Sequence, residues 1–147
     1  VSAKGGVGKT PLTANLATAL HRLGAPTVLV VDLDPQNALG LHFGADPGAL
    51  AGVSRASLSG DSWGSVCQQR PSGVHVLPYG VVNEADRVAF ERHLEGHPDW
   101  LARQLQSLDL PPDALVFIGG GQPARCGVVC GAGLDAASGA HLLHTAP

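Results

Sequence analysis

The sequence predicts an α/β fold built on a mainly parallel, doubly wound sheet that is incomplete, and three observations support this prediction. A Gly-rich turn, KGGVGKT, covers Lys4–Thr10 and is followed by a segment with helical periodicity. The next run, Thr27–Val31, is almost entirely apolar and β-branched, as expected of a parallel strand that is buried on both faces. A second run of this kind occupies Ala114–Ile118.

The individual elements follow from apolar spacing and from turn residues. The first helix is predicted over Thr13–Leu23, where leucines recur at helical intervals and Gly24 supplies a left-handed stop. Asp32 is predicted to end the strand that follows, and Asn83 is placed to cap a later helix. The other predicted elements are short helices at 49–58 and 62–69, a strand at 74–78 and a helix at 99–108.

Composition and charge limit the classes of partner. The chain has 147 residues, of which 44% are hydrophobic, so it can form one modest hydrophobic core. Only 14% are charged and the net charge is -3, so no nucleic acid is expected as a partner. Because the sequence contains no apolar run of membrane-spanning length and no signal-peptide pattern, we expect a cytoplasmic location.

Two regions are predicted. Residues 1–118 form a partial nucleotide-binding domain, and residues 119–147 form an atypical Gly/Ala-rich tail that is expected to be disordered because it lacks a helical or strand period. The chain starts at Val1 and the Gly-rich turn follows almost at once, whereas such a turn normally leaves the end of a full strand. We therefore expect the chain to be a fragment.

The Gly-rich turn has the residue types of a phosphate-binding loop, which predicts the P-loop NTPase fold. Glycines let successive backbone N–H groups turn inward around phosphate oxygens, while the following helix presents the positive end of its dipole. In this pattern Lys9 reaches the β- and γ-phosphates, and the Thr10 hydroxyl binds magnesium. The alternative is a surface loop with this composition by chance. The predicted cofactor-binding residues are Lys4, Gly5, Gly6, Val7, Gly8, Lys9, Thr10 and Pro11.

A second lysine, Lys4, stands ahead of the glycines, and VLVVDLDPQN follows about twenty residues later. Together these segments resemble the MinD/ParA family of P-loop ATPases. The stretch from Asn37 through Gly80, with NALGLHFGADP, DSWGSV and SGVHVLPYG, is most similar to the ATPase encoded with bacterial cellulose synthase. The resemblance covers Val1 to Ile118.

The resemblance implies ATP and Mg²⁺ as cofactors and gives the site residues their roles. Lys4 would act across a homodimer on the partner's nucleotide, and its alternative is a solvated loop lysine. Asp34 matches the aspartate that positions the attacking water and the magnesium shell, so Lys4, Lys9 and Asp34 are the candidate catalytic residues. Thr10, Asp34 and Asp32 are the candidate metal residues. Asp32 either supports magnesium indirectly or only caps the turn.

Two positions depart from the family pattern. Pro11 stands where the family has threonine, and proline cannot donate the backbone N–H that would face the α-phosphate. Gly119 stands where the family has an aspartate that anchors magnesium. Codons for QPARC, read one base later, can give the Ser-Pro-Pro-Gly that the family places there. We therefore hypothesise that a frameshift near Ile118 produced the tail.

The resemblance implies an ATPase that helps to organise or localise a membrane-bound cellulose synthase complex. A protein of this kind would be cytoplasmic and peripheral to the inner membrane or the cell pole. The alternatives are a truncated remnant that binds nucleotide without hydrolysing it, and a ParA-like partitioning ATPase, which would need a basic face that the sequence lacks.

Overall fold

The computed structural model describes residues 9–25, 27–46, 48–120 and 127–130, which form one sheet with helices on both faces. Four α-helices are present in these ranges: α1 (Lys9–Arg22), α2 (Val53–Ser59), α3 (Glu84–Gly96) and α4 (Trp100–Ser107). Two 3-10 helices occupy Leu39–Phe43 and Trp63–Val66. The strands are β1 (Val28–Leu33), β2 (Gln68–Gln69), β3 (His75–Leu77), β4 (Leu115–Gly120) and β5 (Gly127–Cys130).

The sheet has the strand order β2-β3-β1-β4-β5. The three inner strands run parallel, with β1 between β3 and β4. The two outer strands, β2 and β5, each pair antiparallel with their neighbour. The predicted α/β fold is therefore confirmed, as a mixed sheet whose three central strands are parallel.

Each face of the sheet has its own hydrophobic cluster. On one face α1 and the first 3-10 helix cover alternate residues of β1 and β4, such as Val30 and Phe117. On the other face α2, α3 and α4 cover the intervening residues, and Trp63 and Phe90 lie at the centre of that cluster. Because successive strand residues point to opposite faces, helices on both sides are needed to bury these apolar strands.

Some predicted boundaries are wrong. Asp32 does not end β1, because Asp32 and Leu33 continue the pairing with β4, opposite Gly119 and Gly120. The segment predicted as one helix at 62–69 divides into a 3-10 helix and the short strand β2. Because β2 is a pair of glutamines at the sheet edge, it has no apolar alternation from which a strand could be predicted.

The tail also differs from its prediction. The structure extends β4 to Gly120 and adds β5 at Gly127–Cys130, whereas residues 119–147 were predicted to have no regular structure. The reason is tertiary: the outer edge of β4 presents unpaired backbone groups, and a short strand satisfies them by antiparallel pairing. Residues 121–126 and 131–147 lie outside the described residues, and the proposed frameshift stays a hypothesis.

Among the described residues, no helix is long and apolar enough to cross a membrane. The same part of the chain contains no group of three or more His, Cys, Asp or Glu side chains arranged to hold a metal ion.

Candidate functional site

The candidate site lies at the edge of the sheet where β1 and β4 end. A short turn joins α1 to β1 and the two elements pack in one cluster, so the helix runs antiparallel to the strand. The first turn of α1, which begins at Lys9, is therefore at the same edge as the carboxyl end of β1. The N-terminus of a helix at this position favours a bound anion because its backbone N–H groups and its dipole both point outward.

The loop itself lies mostly outside the described residues, as Lys4, Gly5, Gly6, Val7 and Gly8 all precede Lys9. The next three predicted ligands, Lys9, Thr10 and Pro11, form the start of α1. Their places in the helix agree with a loop that runs directly into a helix N-terminus. The roles given to all eight residues stay predictions.

Asp32 is the most buried acidic residue described, with 1% of its surface exposed. One carboxylate oxygen, Oδ1, accepts the backbone N–H of Asp34 at 2.9 Å. The other, Oδ2, accepts the backbone N–H of Leu39 at 3.1 Å. The carboxylate therefore ties the chain that leaves β1 back to the end of the strand. This is the geometry of a turn cap, one of the two roles that the sequence allowed for Asp32.

Burial is also the main influence on the acidity of Asp32. Desolvation disfavours the charged carboxylate and raises its pKa from 3.8 to about 7. The N–H donors of Asp34 and Leu39 lower the pKa and so oppose this effect, while the nearby charge of Asp34 adds to it. A carboxyl group with a pKa near neutrality is partly protonated at physiological pH. It must lose that proton before it can bind a cation.

Asp34 follows β1 directly and lies on the half-buried turn above Asp32. Its Oδ1 accepts the backbone N–H of Gln36 at 2.9 Å, which closes a local turn. An aspartate held in this way at a sheet edge presents hard oxygen ligands of the kind that magnesium prefers. The chemistry of Asp34 therefore fits a magnesium ion.

Gly119 lies beside Asp32 on the neighbouring strand, because the two residues are register partners in the parallel pair β1–β4. Partners in a sheet project to the same face, so a side chain at 119 would stand next to the Asp32 carboxylate. A Cβ added at Gly119 would meet Leu39 Cδ2 at 3.5 Å and Val31 O at 3.9 Å, which are ordinary contacts. The position therefore admits a Cβ atom, and this sequence has glycine there.

Two further residues shape the site and were not predicted. Asn37 adopts a positive φ of 53°, and its Oδ1 accepts the backbone N–H of Gly80 at 3.2 Å. Asn37 thereby fixes the segment after β1 to the chain after β3. Arg70 bonds the carbonyls of Phe43 and Gly44 at the far end of the same segment. The sequence offered one signal, since asparagine tolerates a left-handed conformation, but nothing in it pointed to Arg70.

Among the described residues, the fold thus brings Asp32, Asp34 and position 119 together at one sheet edge, at the end of the sheet where α1 begins. The arrangement combines a helix N-terminus, which favours an anion, with two carboxyl groups, of which Asp32 is buried and Asp34 is half-buried. It suits a phosphate-bearing ligand with a divalent cation better than an apolar ligand.

Comparison with known proteins gives a family match over most of the chain. The family described as cellulose biosynthesis protein BcsQ matches residues 2–117. The cellulose biosynthesis protein BcsQ of Salmonella typhimurium is 39% identical over 84 residues, which are 57% of this chain and 33% of that protein. The aligned part is thus about a third of the length of this curated relative.

Two solved structures share the fold. Cobyrinic acid a,c-diamide synthase from Mycobacterium smegmatis, with a bound ATP analog and magnesium, is 32% identical with a TM-score of 0.65, over 79% of this chain and 47% of that chain. The septum site-determining protein MinD from Pyrococcus horikoshii, complexed with Mg-ADP, is 30% identical with a TM-score of 0.58, over 79% and 45% of the two chains. The predicted P-loop NTPase fold class is confirmed.

Proposed function

This chain belongs to the family of cellulose biosynthesis protein BcsQ and is related to MinD/ParA-type ATPases, and on this premise we propose that it binds ATP together with Mg²⁺. This proposal rests on one observation: the N-terminal turn of α1 lies at the same edge of the sheet as the carboxyl end of β1, which carries Asp32 and Asp34. A related structure contains an ATP analog and magnesium, which supports the same ligand pair here.

We assign the roles as follows. The backbone of Gly5 to Gly8 and the Lys9 ammonium hold the phosphates, and the Thr10 hydroxyl and the Asp34 carboxylate hold the cation. Bound Mg²⁺ supplies neutralisation of the β- and γ-phosphate charge. For hydrolysis, Asp34 orients the attacking water, and Lys4 stabilises developing charge on the nucleotide of the partner in a homodimer.

The matching family is described by a role in cellulose biosynthesis, and we propose that this chain acts with the membrane-bound cellulose synthase complex, which it helps to organise or localise. Such a role requires the protein to be cytoplasmic and peripheral to the inner membrane or the cell pole. Co-purification of the chain with synthase subunits from solubilised membranes tests this part. Recovery of the subunits no greater than in a control without the chain would contradict it.

A second candidate function is a nucleotide-binding module that does not hydrolyse ATP. It is favoured by Gly119, where the structure admits a Cβ atom but the sequence supplies no carboxylate. Pro11 favours it too, because the first turn of α1 then lacks one N–H donor for phosphate. The two candidates share the binding step and differ only in turnover.

Two measurements on the purified chain separate these candidates. Titration calorimetry with ATP, with and without Mg²⁺, tests binding, and phosphate release tests turnover. We expect Lys9→Ala to abolish binding, whereas Arg92→Ala, at an exposed position of α3, serves as the matched control with unchanged binding. Wild-type chain that binds no ATP at millimolar concentration would overturn both candidates.

Gly119→Asp tests whether the missing carboxylate limits the site. The substituted side chain would stand beside Asp32, whose pKa is about 7. Above that pH and without Mg²⁺, repulsion between the two carboxylates should therefore lower the melting temperature. With Mg²⁺ we expect the melting temperature to recover and the Mg²⁺-dependent ATP affinity to rise by about tenfold, as for one added charge-assisted ligand. Gly119→Asn, of nearly the same shape but neutral, is the control. Equal behaviour of the two variants would contradict the assignment.

A further inference from the structure

The first 3-10 helix, Leu39–Phe43, is held by an ionisable side chain at each end. At its start, the Leu39 backbone N–H donates to Asp32 Oδ2 at 3.1 Å. At its end, Arg70 Nε donates to the Phe43 carbonyl at 2.9 Å and Arg70 Nη2 donates to the Gly44 carbonyl at 2.6 Å. The Arg70 cation at the carbonyl end matches the polarity of a helix, and so does the Asp32 carboxylate at the N–H end when it is ionised.

Arg70 is well placed to act as an anchor because its own backbone is fixed. Its N–H donates to the Val74 carbonyl at 3.0 Å, and its carbonyl accepts the Gly73 N–H at 2.9 Å, so it belongs to the tight turn between β2 and β3. Arg70 Nη1 lies 3.4 Å from Gln68 Oε1, a longer contact that orients the guanidinium plane. The guanidinium therefore connects the 3-10 helix to the edge of the sheet.

The end of the 3-10 helix is shaped to receive this cation. Gly44 takes φ of 74°, a left-handed conformation that favours glycine and ends the helix. A Cβ at Gly44 would lie 3.5 Å from Arg70 Nη2, so the guanidinium packs closely over the turn. Arginine presents its donors to the two carbonyls in a rigid planar fork, whereas the lysine ammonium is a compact, strongly hydrated charge on a flexible stem.

We propose that Arg70 is a positioning residue of the candidate nucleotide site, although it lies at the opposite end of the 3-10 helix from Asp32. Arg70 fixes the carbonyl end of the helix, the helix presents the Leu39 N–H to Asp32, and Asp32 in turn holds the Asp34 backbone. The expected effect of Arg70 on ATP binding rests on the proposed function. The structural link from Arg70 to Asp32 is independent of that function.

Other contacts hold the same segment, so loss of Arg70 should loosen it without unfolding the domain. The Phe43 and Leu39 side chains are buried in the cluster beneath α1. Asn37 bonds the Gly80 N–H on the other side. We therefore expect Arg70→Ala to change the position of the Asp34 turn more than it changes global stability.

Amide hydrogen exchange at Leu39 tests the structural link with no nucleotide present. In Arg70→Ala we expect the Leu39 amide to exchange about tenfold faster, as for loss of charge-assisted hydrogen bonds. Arg70→Lys should give an intermediate rate, because lysine keeps the positive charge but lacks the rigid fork that fits both carbonyls. Arg92→Ala should give the wild-type rate, since Arg92 is exposed on α3, which packs on the other face of the sheet.

Titration calorimetry with ATP tests the consequence for the site. We expect Arg70→Ala to weaken ATP binding about tenfold in the presence of Mg²⁺ and to leave binding without Mg²⁺ unchanged, because the affected turn carries Asp34 and not the phosphate loop. Arg70→Lys should recover part of the Mg²⁺-dependent affinity. A role confined to stability would instead move both affinities in parallel with the melting temperature.

The outcomes distinguish this proposal from the proposed function. If the wild-type chain binds no ATP but Arg70→Ala still speeds Leu39 exchange, the proposed function fails and the structural link stands. If the wild type binds ATP with Mg²⁺ and Arg70→Ala matches it in both exchange and Mg²⁺-dependent affinity, the positioning role is overturned. Should Arg70→Ala fail to fold, Gln68→Ala provides the test. We expect it to speed Leu39 amide exchange less than loss of Arg70 would. An unchanged exchange rate would overturn the proposal.

Discussion

Asp32 shows how much a single residue at the site depends on its surroundings. The sequence places it near the end of a buried strand, which left open whether it supports magnesium or caps the turn. The structure gives both of its carboxylate oxygens a backbone N–H donor and buries it almost completely. These bonds make it a turn cap, and a role toward magnesium in addition stays a prediction.

The raised pKa of Asp32 predicts a pH dependence of stability. Its pKa is about 7 in the fold, and about 3.9 when unfolded. The folded state holds the proton more tightly, so this contribution is complete below about pH 4 and is lost as the pH rises through about 7. Between these limits the free energy of unfolding should fall by up to about 4 kcal/mol.

Urea denaturation between pH 5 and pH 8 without Mg²⁺ measures this slope. Unfolding is followed by tryptophan fluorescence, to which the fully buried Trp63 contributes. Asp32→Asn should flatten it, because the amide does not titrate. Asp61→Asn, at an exposed position, should leave it unchanged. If Asp32→Asn kept the wild-type slope, the pH dependence would have to come from other groups.

Pro11 is the second residue whose effect can be predicted. It lies in the first turn of α1, where proline fits sterically but supplies no N–H to a phosphate. Pro11→Thr should tighten ATP binding about tenfold, since a charge-assisted hydrogen bond contributes roughly 1.5–3 kcal/mol. Titration calorimetry measures this, and Pro11→Ala, which restores the N–H without the hydroxyl, should give most of the gain. Equal affinities for all three chains would contradict the prediction.

At the scale of the elements, the start of α2 is fixed by a close backbone crossing. Gly52 lies against the backbone of Tyr79 and Gly80, so closely that an added Cβ would collide with both. The crossing lets the Val53 N–H bond the Pro78 carbonyl at 2.9 Å and the Ser54 N–H bond the Tyr79 carbonyl at 3.2 Å. It therefore attaches α2 to the chain that leaves β3.

Gly52→Ala should destabilise the domain because the added methyl group forces these two backbones apart. Overpacking of this kind typically costs about 1–3 kcal/mol. Gly96→Ala is a matched control, since a Cβ at the end of α3 would meet nothing within 4 Å, and alanine favours a helix by up to about 1 kcal/mol. Urea denaturation of both variants measures the difference. Equal midpoints would show that the crossing tolerates a side chain.

Local sequence predicted most elements, and the misses have a common cause. The strand-like run at 27–31 and the Asn83 cap were recognisable because apolar spacing and cap chemistry are local. Asn83 does accept the Asp86 N–H at 2.8 Å, which confirms the cap. The first 3-10 helix, Leu39–Phe43, was missed because its ends are fixed by Asp32 and by residues distant in sequence, such as Arg70.

At the scale of the whole molecule, β5 extends the sheet beyond β4. Its pairing runs from Leu115 opposite Cys130 to Ile118 opposite Gly127. This strand covers an edge that would otherwise leave the backbone groups of a central, apolar strand unpaired. Part of the region predicted as a structureless tail therefore contributes to the sheet.

A chain that ends at residue 120 should be less stable than one that ends at residue 130, because only the longer chain retains β5. The difference should be on the order of 2 kcal/mol, since each lost backbone hydrogen bond contributes about 0.5–1.5 kcal/mol net. The shorter chain should also aggregate more readily through its uncovered edge. Thermal unfolding and light scattering of the two chains measure both effects, and identical melting temperatures would contradict the pairing of β5.

The sequence by itself determined the fold class, the P-loop residue types and the presence of two aspartates at the end of one strand, because these depend on local periodicity and on residue chemistry. The tertiary structure decided that Asp32 is buried and that Gly119 stands beside it. It also decided that Arg70 holds the end of the first 3-10 helix. Strand register, burial and contacts across the sheet depend on pairing between distant parts of the chain, and no local pattern encodes them.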